Sequence, residues 1–134
     1  MYSIRNINEE DYSTLCEYWK FWKFPPPSRD MLPKDLRYSI AIIYEGKIVC
    51  AGFLYATPSS FCWVEFIVSS PYIKDKKMRT DIITLQINSL ISLAKKIGFK
   101  AIFSSIKHEG LIKHYKNCGF IEGSTNSTEM ICKL

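Results

Sequence analysis

The hydrophobic pattern at the start of the chain predicts one strand and one helix. Apolar and polar residues alternate from Tyr2 to Ile7, which is typical of a half-buried strand. From Tyr12 to Trp22 the apolar residues instead recur at helical spacing. The proline run from Pro25 to Pro27 ends this helix, because proline cannot continue the helical hydrogen bonding.

A meander of three strands is predicted next. The apolar segments Tyr38 to Tyr44, Lys47 to Thr57 and Phe61 to Ser69 are separated by short runs of turn-forming residues. The third segment is apolar on both sides, so we expect it near the centre of a sheet. Strict alternation divides its side chains into two sets, with Trp63, Glu65 and Ile67 on one face and Val64, Phe66 and Val68 on the other.

The remaining pattern predicts two helices, one strand and a closing hairpin. A long amphipathic helix from Met78 to Ile97 leads into a strand from Ala101 to Lys107, which must then run parallel to the central strand. A short helix from Glu109 to Asn117 follows, and Phe120 to Glu122 and Thr128 to Leu134 form the hairpin. The predicted fold class is α/β (α+β): a mixed, mostly antiparallel sheet with a central parallel pair and helices on both faces.

Composition favours a single globular domain spanning residues 1–134. The chain is 47% hydrophobic and 14% aromatic, which is typical of an ordered core. No apolar run approaches the roughly 18–20 residues of a membrane span, and no signal-peptide pattern opens the chain, so we expect a cytoplasmic protein. Five cysteines without a Cys-x-x-Cys motif are expected to be reduced and mostly buried. No metal site is expected, since His114 and Cys118 have no further ligands nearby.

A basic loop opens the long helix. The net charge of +5 is modest, and coding bias toward lysine explains it as well as a polyanionic partner does. The charge is locally dense only from Lys74 to Arg79, where helix N–H groups and positive side chains favour an anion. Loops that hold phosphate usually place glycine where the backbone must approach the ligand, but this one carries Asp75, Lys77 and Arg79 there.

Two local patterns, together with the element order, point to one family. The first runs from Val68 through Pro71 to Lys74 and the basic loop. The second is HEGLIKHYKNCGF, which begins at His108 and contains Tyr115 followed by x-x-x-Gly-Phe. The chain thereby resembles the GNAT superfamily of acyl-CoA N-acyltransferases over nearly its whole length. It departs from the family where lysine and arginine replace two glycines of the loop.

The resemblance implies a set of cofactor-binding residues. The family loop Gln/Arg-x-x-Gly-x-Gly/Ala grips the pyrophosphate of acetyl-CoA through backbone N–H groups, and a main-chain donor near Val68 polarises the thioester. His108 lies in the position of an asparagine that bonds the pantetheine arm, although it is equally a base or a loop residue without a role. The loop positions implied in cofactor binding are Lys74, Asp75, Lys76, Lys77, Met78, Arg79 and Thr80.

Two catalytic residues are also expected. Glu65, on the central strand between Trp63 and Ile67, is the candidate base, because apolar neighbours raise the pKa of a carboxyl group. A partly exposed glutamate paired with a lysine is the competing interpretation. The resemblance makes Tyr115 the acid that protonates the leaving thiolate, against the alternative of a core tyrosine.

The expected function is N-acetyl transfer from acetyl-CoA to an unidentified amine, without a metal or a membrane. One alternative is a degenerate GNAT-fold module that binds nucleic acid or an acidic protein through the basic loop. The other is a GNAT-like enzyme that modifies nucleotides or DNA. Small proteins of this kind are common in phage genomes, which suggests a phage origin, and pairing of C-terminal strands suggests a homodimer.

Overall fold

A five-stranded sheet forms the centre of the molecule. The computed structural model describes residues 1–134, and the strands stand in the order β1-β2-β3-β4-β5. Neighbours are antiparallel except for β4 and β5, which are parallel. The predicted fold class is therefore confirmed. The strands are β1 (Tyr2–Arg5), β2 (Ser39–Tyr44), β3 (Lys47–Ala56), β4 (Phe61–Ser69) and β5 (Ala101–Phe103).

Three α-helices accompany the sheet: α1 (Asp11–Phe21), α2 (Lys76–Ile97) and α3 (Glu109–Asn117). The proline-containing loop after α1 includes two short 3-10 turns, Arg29–Met31 and Lys34–Leu36. α2 begins two residues earlier than its predicted start, because Asp75 caps it, and it ends at Gly98 in the left-handed conformation (φ 113°). None of the three helices combines the length and apolar character needed to cross a bilayer.

The sheet separates two hydrophobic clusters. One packs around α1 and includes Leu15, Trp19 and Phe53. The other packs around α2 and includes Leu54 and Leu90. Helices thus cover both faces, as predicted, and each fully buried side chain contributes about 1.5–3 kcal/mol.

A β-bulge interrupts the pairing of β3 with β4. Gly52 on β3 stands opposite two residues of β4, Phe66 and Ile67, and Phe66 adopts a left-handed conformation (φ 61°). Regular pairing holds on either side of the bulge, between Phe53 and Glu65 and between Ala51 and Val68. One inserted residue therefore shifts every later side chain of β4 to the opposite face.

The strict alternation predicted for β4 is wrong beyond Glu65. Glu65 pairs with Phe53 on the α1 face, and the next residue, Phe66, packs against the same α1 cluster. Ile67 packs against the α2 cluster, and Val68 returns to the α1 cluster. The bulge thus places two consecutive side chains, a carboxylate and an aromatic ring, on one face.

The absence of a side chain at residue 52 fits the close approach of α2. A Cβ atom there would lie 2.8 Å from Gln86 Nε2 and 2.9 Å from Leu90 Cδ1. Gln86 is itself buried and donates a hydrogen bond from Nε2 to the carbonyl oxygen of Ile40 (3.2 Å). The bulge is therefore packed directly onto the long helix.

The C-terminal prediction is wrong in two respects. β5 is three residues long rather than seven, and it pairs only with Phe61–Trp63 of β4. The predicted hairpin does not form, since residues 120–134 contain no strand. Ile121, Met130 and Ile131 are mostly exposed. Alternation of apolar and polar residues identifies a segment that is able to form a strand. Here the neighbouring edge strand, β5, has only three residues and offers few backbone groups with which that segment could pair.

Candidate functional site

An opening lies where β4 and β5 stop pairing. The last pair joins Trp63 to Phe103, while β4 continues to Ser69. Beyond this pair, hydrogen bonds that involve side chains replace the backbone-to-backbone hydrogen bonds between the two segments. Ser104 Oγ lies 2.6 Å from the Val64 carbonyl oxygen, and the Ser105 N–H donates to Glu65 Oε1 (2.8 Å). The two serines, which sequence reasoning missed, thereby hold the two strands together across the opening.

Glu65 occupies the α1 side of this opening and is partly buried. Its Oε1 atom accepts hydrogen bonds from the Trp63 indole N–H (2.8 Å) and from the Ser105 N–H. Burial raises the pKa of the Glu65 carboxyl, and these two hydrogen bonds oppose part of that increase. Both bonds fall on Oε1, so Oε2 remains available for a proton from another molecule.

Tyr115 lies on the other side of the opening and is buried. Its hydroxyl oxygen is 3.1 Å from Ser104 Oγ, and burial raises the pKa of the phenol well above its ordinary value. The single hydroxyl proton of Ser104 is used in the shorter contact with Val64, so the phenol proton completes the bond between Ser104 and Tyr115. The negative charge of Glu65 also raises the pKa of Tyr115, which shows that the two groups share one electrostatic environment.

The basic loop is already engaged by one of its own side chains. The Asp75 carboxylate accepts hydrogen bonds from the N–H groups of Lys77 (3.0 Å) and Met78 (3.5 Å). The Arg79 N–H donates to the Asp75 carbonyl oxygen (3.0 Å). Three of the amides expected to face an anion therefore have partners within the chain, and Asp75 is the acceptor in every case.

The charged side chains of the loop point outward. Lys74, Asp75, Lys76 and Lys77 are exposed, and Lys77 Nζ lies 3.3 Å from an Asp81 carboxylate oxygen one turn along α2. The other expected binding residues, Met78, Arg79 and Thr80, are partly exposed in the first turn of α2. Val68 is buried at the end of β4, five positions beyond the last β4–β5 pair.

His108 caps α3. Its Nδ1 accepts a long hydrogen bond from the Leu111 N–H (3.4 Å), and its side chain is exposed. The capping position explains why a polar residue suits the start of this helix. The chain holds no group of three or more His, Cys, Asp or Glu side chains arranged to bind a metal ion.

An aromatic surface borders Glu65 on the α1 side. The ring of Phe66 makes edge-to-face contacts with Phe24 (6.3 Å between centroids) and Tyr55 (6.4 Å). We call Phe24, Tyr55 and Phe66 the aromatic wall. Tyr55 is paired with Trp63 across the strands, so both of these aromatic residues stand on the same face as Glu65.

Two surface depressions lie outside the opening. One is bordered by Ile4, Ile40 and one side of α2, and the other by Arg37, Tyr38 and Tyr55 with their neighbours. Neither depression contains Glu65, Tyr115 or the basic loop. The opening between the strands, rather than either depression, is the place where Glu65 and Tyr115 come together.

Comparison with known proteins identifies the fold. No family model and no curated protein sequence matches the chain. Among solved structures, it is similar to an acetyltransferase from Trypanosoma brucei (16% identity, TM-score 0.68, all of both chains). It is also similar to a predicted acetyltransferase from Clostridium acetobutylicum, solved with acetyl-CoA (15% identity, TM-score 0.63, 98% of this chain and 96% of that one).

A larger enzyme contains the same fold. N-acetylglutamate synthase from Neisseria gonorrhoeae, solved with coenzyme A and N-acetyl-glutamate, matches at 16% identity and a TM-score of 0.74. The match covers 92% of this chain but only 29% of that enzyme. The chain therefore has the fold of these acetyltransferases, the GNAT fold that the sequence resemblance implied.

Proposed function

We propose that the protein is an N-acetyltransferase that transfers the acetyl group of acetyl-CoA to an amine. The observation that carries this proposal is the opening between β4 and β5, where a carboxyl group of raised pKa and a protonated phenol stand on opposite sides. The fold adds support, because two of the similar structures were solved with coenzyme A or acetyl-CoA.

Each group has one task in the proposed reaction. Glu65 Oε2 accepts a proton from the ammonium of the acceptor, so that the free amine attacks the thioester carbon. As the carbon–nitrogen bond forms, the carbon–sulfur bond breaks, and the phenol of Tyr115 gives its proton to the departing thiolate. The nitrogen, which is positively charged after its attack, releases its second proton to the Tyr115 phenolate, so that the phenol is restored and Glu65 keeps the one proton that the reaction sets free. The raised pKa of Glu65 suits its task, since a base acts best when its pKa approaches that of its partner, and the raised pKa of Tyr115 keeps the phenol protonated until the thiolate forms.

The loop residues would bind the pyrophosphate of acetyl-CoA with Lys74, Lys76 and Arg79 as the charged partners. This requires the Asp75 carboxylate to leave the amides of α2. Asp75 is exposed, so its side chain has room to rotate away. The cofactor supplies the activated acetyl group, and the chain supplies binding, proton transfer and exclusion of water.

The test combines binding and turnover. Acetyl-CoA at millimolar concentration should raise the melting temperature, and release of free thiol should follow when amines are added. Glu65→Gln should lower kcat/KM by about 100-fold or more, because it removes the base but keeps the shape. Glu17→Gln, on the exposed face of α1, is the matched control. No thermal shift and no thiol release with any amine would refute the proposal.

A binding module remains the second candidate, and the Asp75 contacts favour it. If the loop does not take up acetyl-CoA, its exposed lysines would meet a polyanion, and binding should weaken steeply with salt. Fluorescence polarisation with a single-stranded oligonucleotide at rising salt tests this candidate. Unchanged polarisation at low salt would exclude nucleic acid as the partner.

A further inference from the structure

The bulge in β4 fixes what stands beside the candidate base. Because Phe66 is inserted directly after Glu65, the carboxylate and the ring share one face of the sheet. A regular strand would have turned residue 66 toward α2 instead. The group that receives a proton is therefore flanked by a flat apolar surface.

Phe66 is the centre of this surface. Its ring contacts Phe24 and Tyr55 within the aromatic wall and Trp19 beneath it, all at centroid distances of 6.3–6.4 Å. Trp19 is buried, whereas Phe24 is 46% exposed. The wall is therefore supported from the core and accessible to a ligand from solvent.

The polar atoms of the wall and its rim are already bonded. The Tyr55 hydroxyl donates to the Met31 carbonyl oxygen (2.9 Å), and the Trp63 indole N–H donates to Glu65. Trp22, near the end of β4, donates its indole N–H to the Ser69 carbonyl oxygen (2.8 Å). The donors of these groups are therefore used within the chain and are not free for the acceptor oxygens of a phosphate.

Several charged groups lie around the wall, with Glu65 directly beside the rings and with Lys34 and Arg37 bordering the depression that Tyr55 also lines. A second carboxylate, Glu129 of the C-terminal segment, also raises the pKa of Glu65. One carboxylate suits one ammonium group. A polyamine that extended past Tyr55 would bring its further ammonium groups toward Lys34 and Arg37, which would repel them.

From these contacts we infer that the acceptor is an arylalkylamine, a primary amine on a short chain that ends in an aromatic ring. Its ammonium meets Glu65, and its ring packs against Phe24 and Phe66. The claim that this amine is acetylated rests on the proposed function, whereas the claim that it binds at the aromatic wall does not. Aromatic pairs of this kind contribute about 0.5–1.5 kcal/mol beyond their buried area.

The experiment measures binding first, without acetyl-CoA. 2-Phenylethylamine should quench tryptophan fluorescence, whereas 2-phenylethanol, spermidine and glucosamine 6-phosphate at the same concentrations should not. Phe24→Ala should raise the Kd for 2-phenylethylamine about three- to tenfold. Phe21→Ala is the matched control, because Phe21 is also exposed on this part of the chain but contacts Trp22 rather than Phe66.

Acetyl transfer to the same amines separates the two proposals. Binding of 2-phenylethylamine that depends on Phe24, without transfer, would refute the enzymatic function and keep the inference. Transfer to spermidine or glucosamine 6-phosphate in preference to 2-phenylethylamine would overturn the inference and keep the function. Equal effects of Phe24→Ala and Phe21→Ala, or no binding of 2-phenylethylamine, would also overturn it.

Discussion

The first 97 residues and the last 37 differ sharply in how they are held. Both hydrophobic clusters belong to the first region, and beyond Ala94 the only buried side chain is Tyr115. The second region is joined to the first by the three residue pairs of β5, by the bonds of Ser104 and Ser105, and by Phe99 and Ile102, which pack against the α2 cluster. The candidate site spans both regions, so its geometry depends on the contacts that bind the second region to the first.

The largest predicted effect is a difference in the free energy of unfolding between two phenylalanine-to-alanine variants, one in the core and one in the edge strand. Phe53 is fully buried and stacks on Trp19, and Phe53→Ala should lower the free energy of unfolding by about 3–5 kcal/mol. Phe103 in β5 is 52% exposed, and Phe103→Ala should cost about 1 kcal/mol or less. Urea denaturation of both variants measures this. Equal losses would mean that the second region carries as much of the stability as the first.

Tyr115 tests the attachment of the second region more directly. Tyr115→Ala removes the buried ring, its contact with Phe120 (4.7 Å between centroids) and the bond to Ser104. Amide hydrogen exchange should become faster in β5 and α3 but stay unchanged in β2 and β3. Tyr115→Phe keeps the ring and loses one hydrogen bond, which costs about 1 kcal/mol. Faster exchange throughout the sheet would show that the two regions unfold as one unit.

The smallest expected effect concerns the Glu65 carboxyl at the boundary between the regions. Its pKa is raised in the folded protein, so its contribution to stability is fully present below the unfolded pKa and is lost as the pH rises through the raised value. Glu65→Gln should therefore lose less stability than the parent protein between about pH 4 and about pH 8. Urea midpoints across this range provide the measurement, with Glu17→Gln as the control. A steeper loss in Glu65→Gln would contradict the raised pKa.

Most of the fold was predictable because each element buries a periodic apolar face. The period of two in β2 and β3 and the helical period in α2 survive in the structure, and their boundaries shift by at most two residues. The bulge was not predictable in the same way, because a single inserted residue leaves the composition of β4 unchanged. Its only sequence signal was Gly52 on the neighbouring strand, where β3 meets α2.

The candidate site was predictable only in part. Glu65 and Tyr115 were found from strand position and motif, whereas Ser104 and Ser105 carry no motif and are recognisable only once β5 is seen to end at Phe103. The capping role of Asp75 follows from its place before a helix, yet the resemblance assigned it to the cofactor. The single domain, the cytoplasmic location, the homodimer and the phage origin stay predictions.

The Asp75 cap gives the basic loop a tethered competitor. A free anion competes for the same amides only at its bulk concentration, whereas a covalently attached carboxylate is always present at a high effective concentration. A phosphate-bearing ligand that binds these amides must therefore displace the Asp75 carboxylate from them. Selection between ligands then favours a diphosphate over a single phosphate, because a diphosphate has more oxygens with which to contact lysine and arginine and so to outweigh the carboxylate.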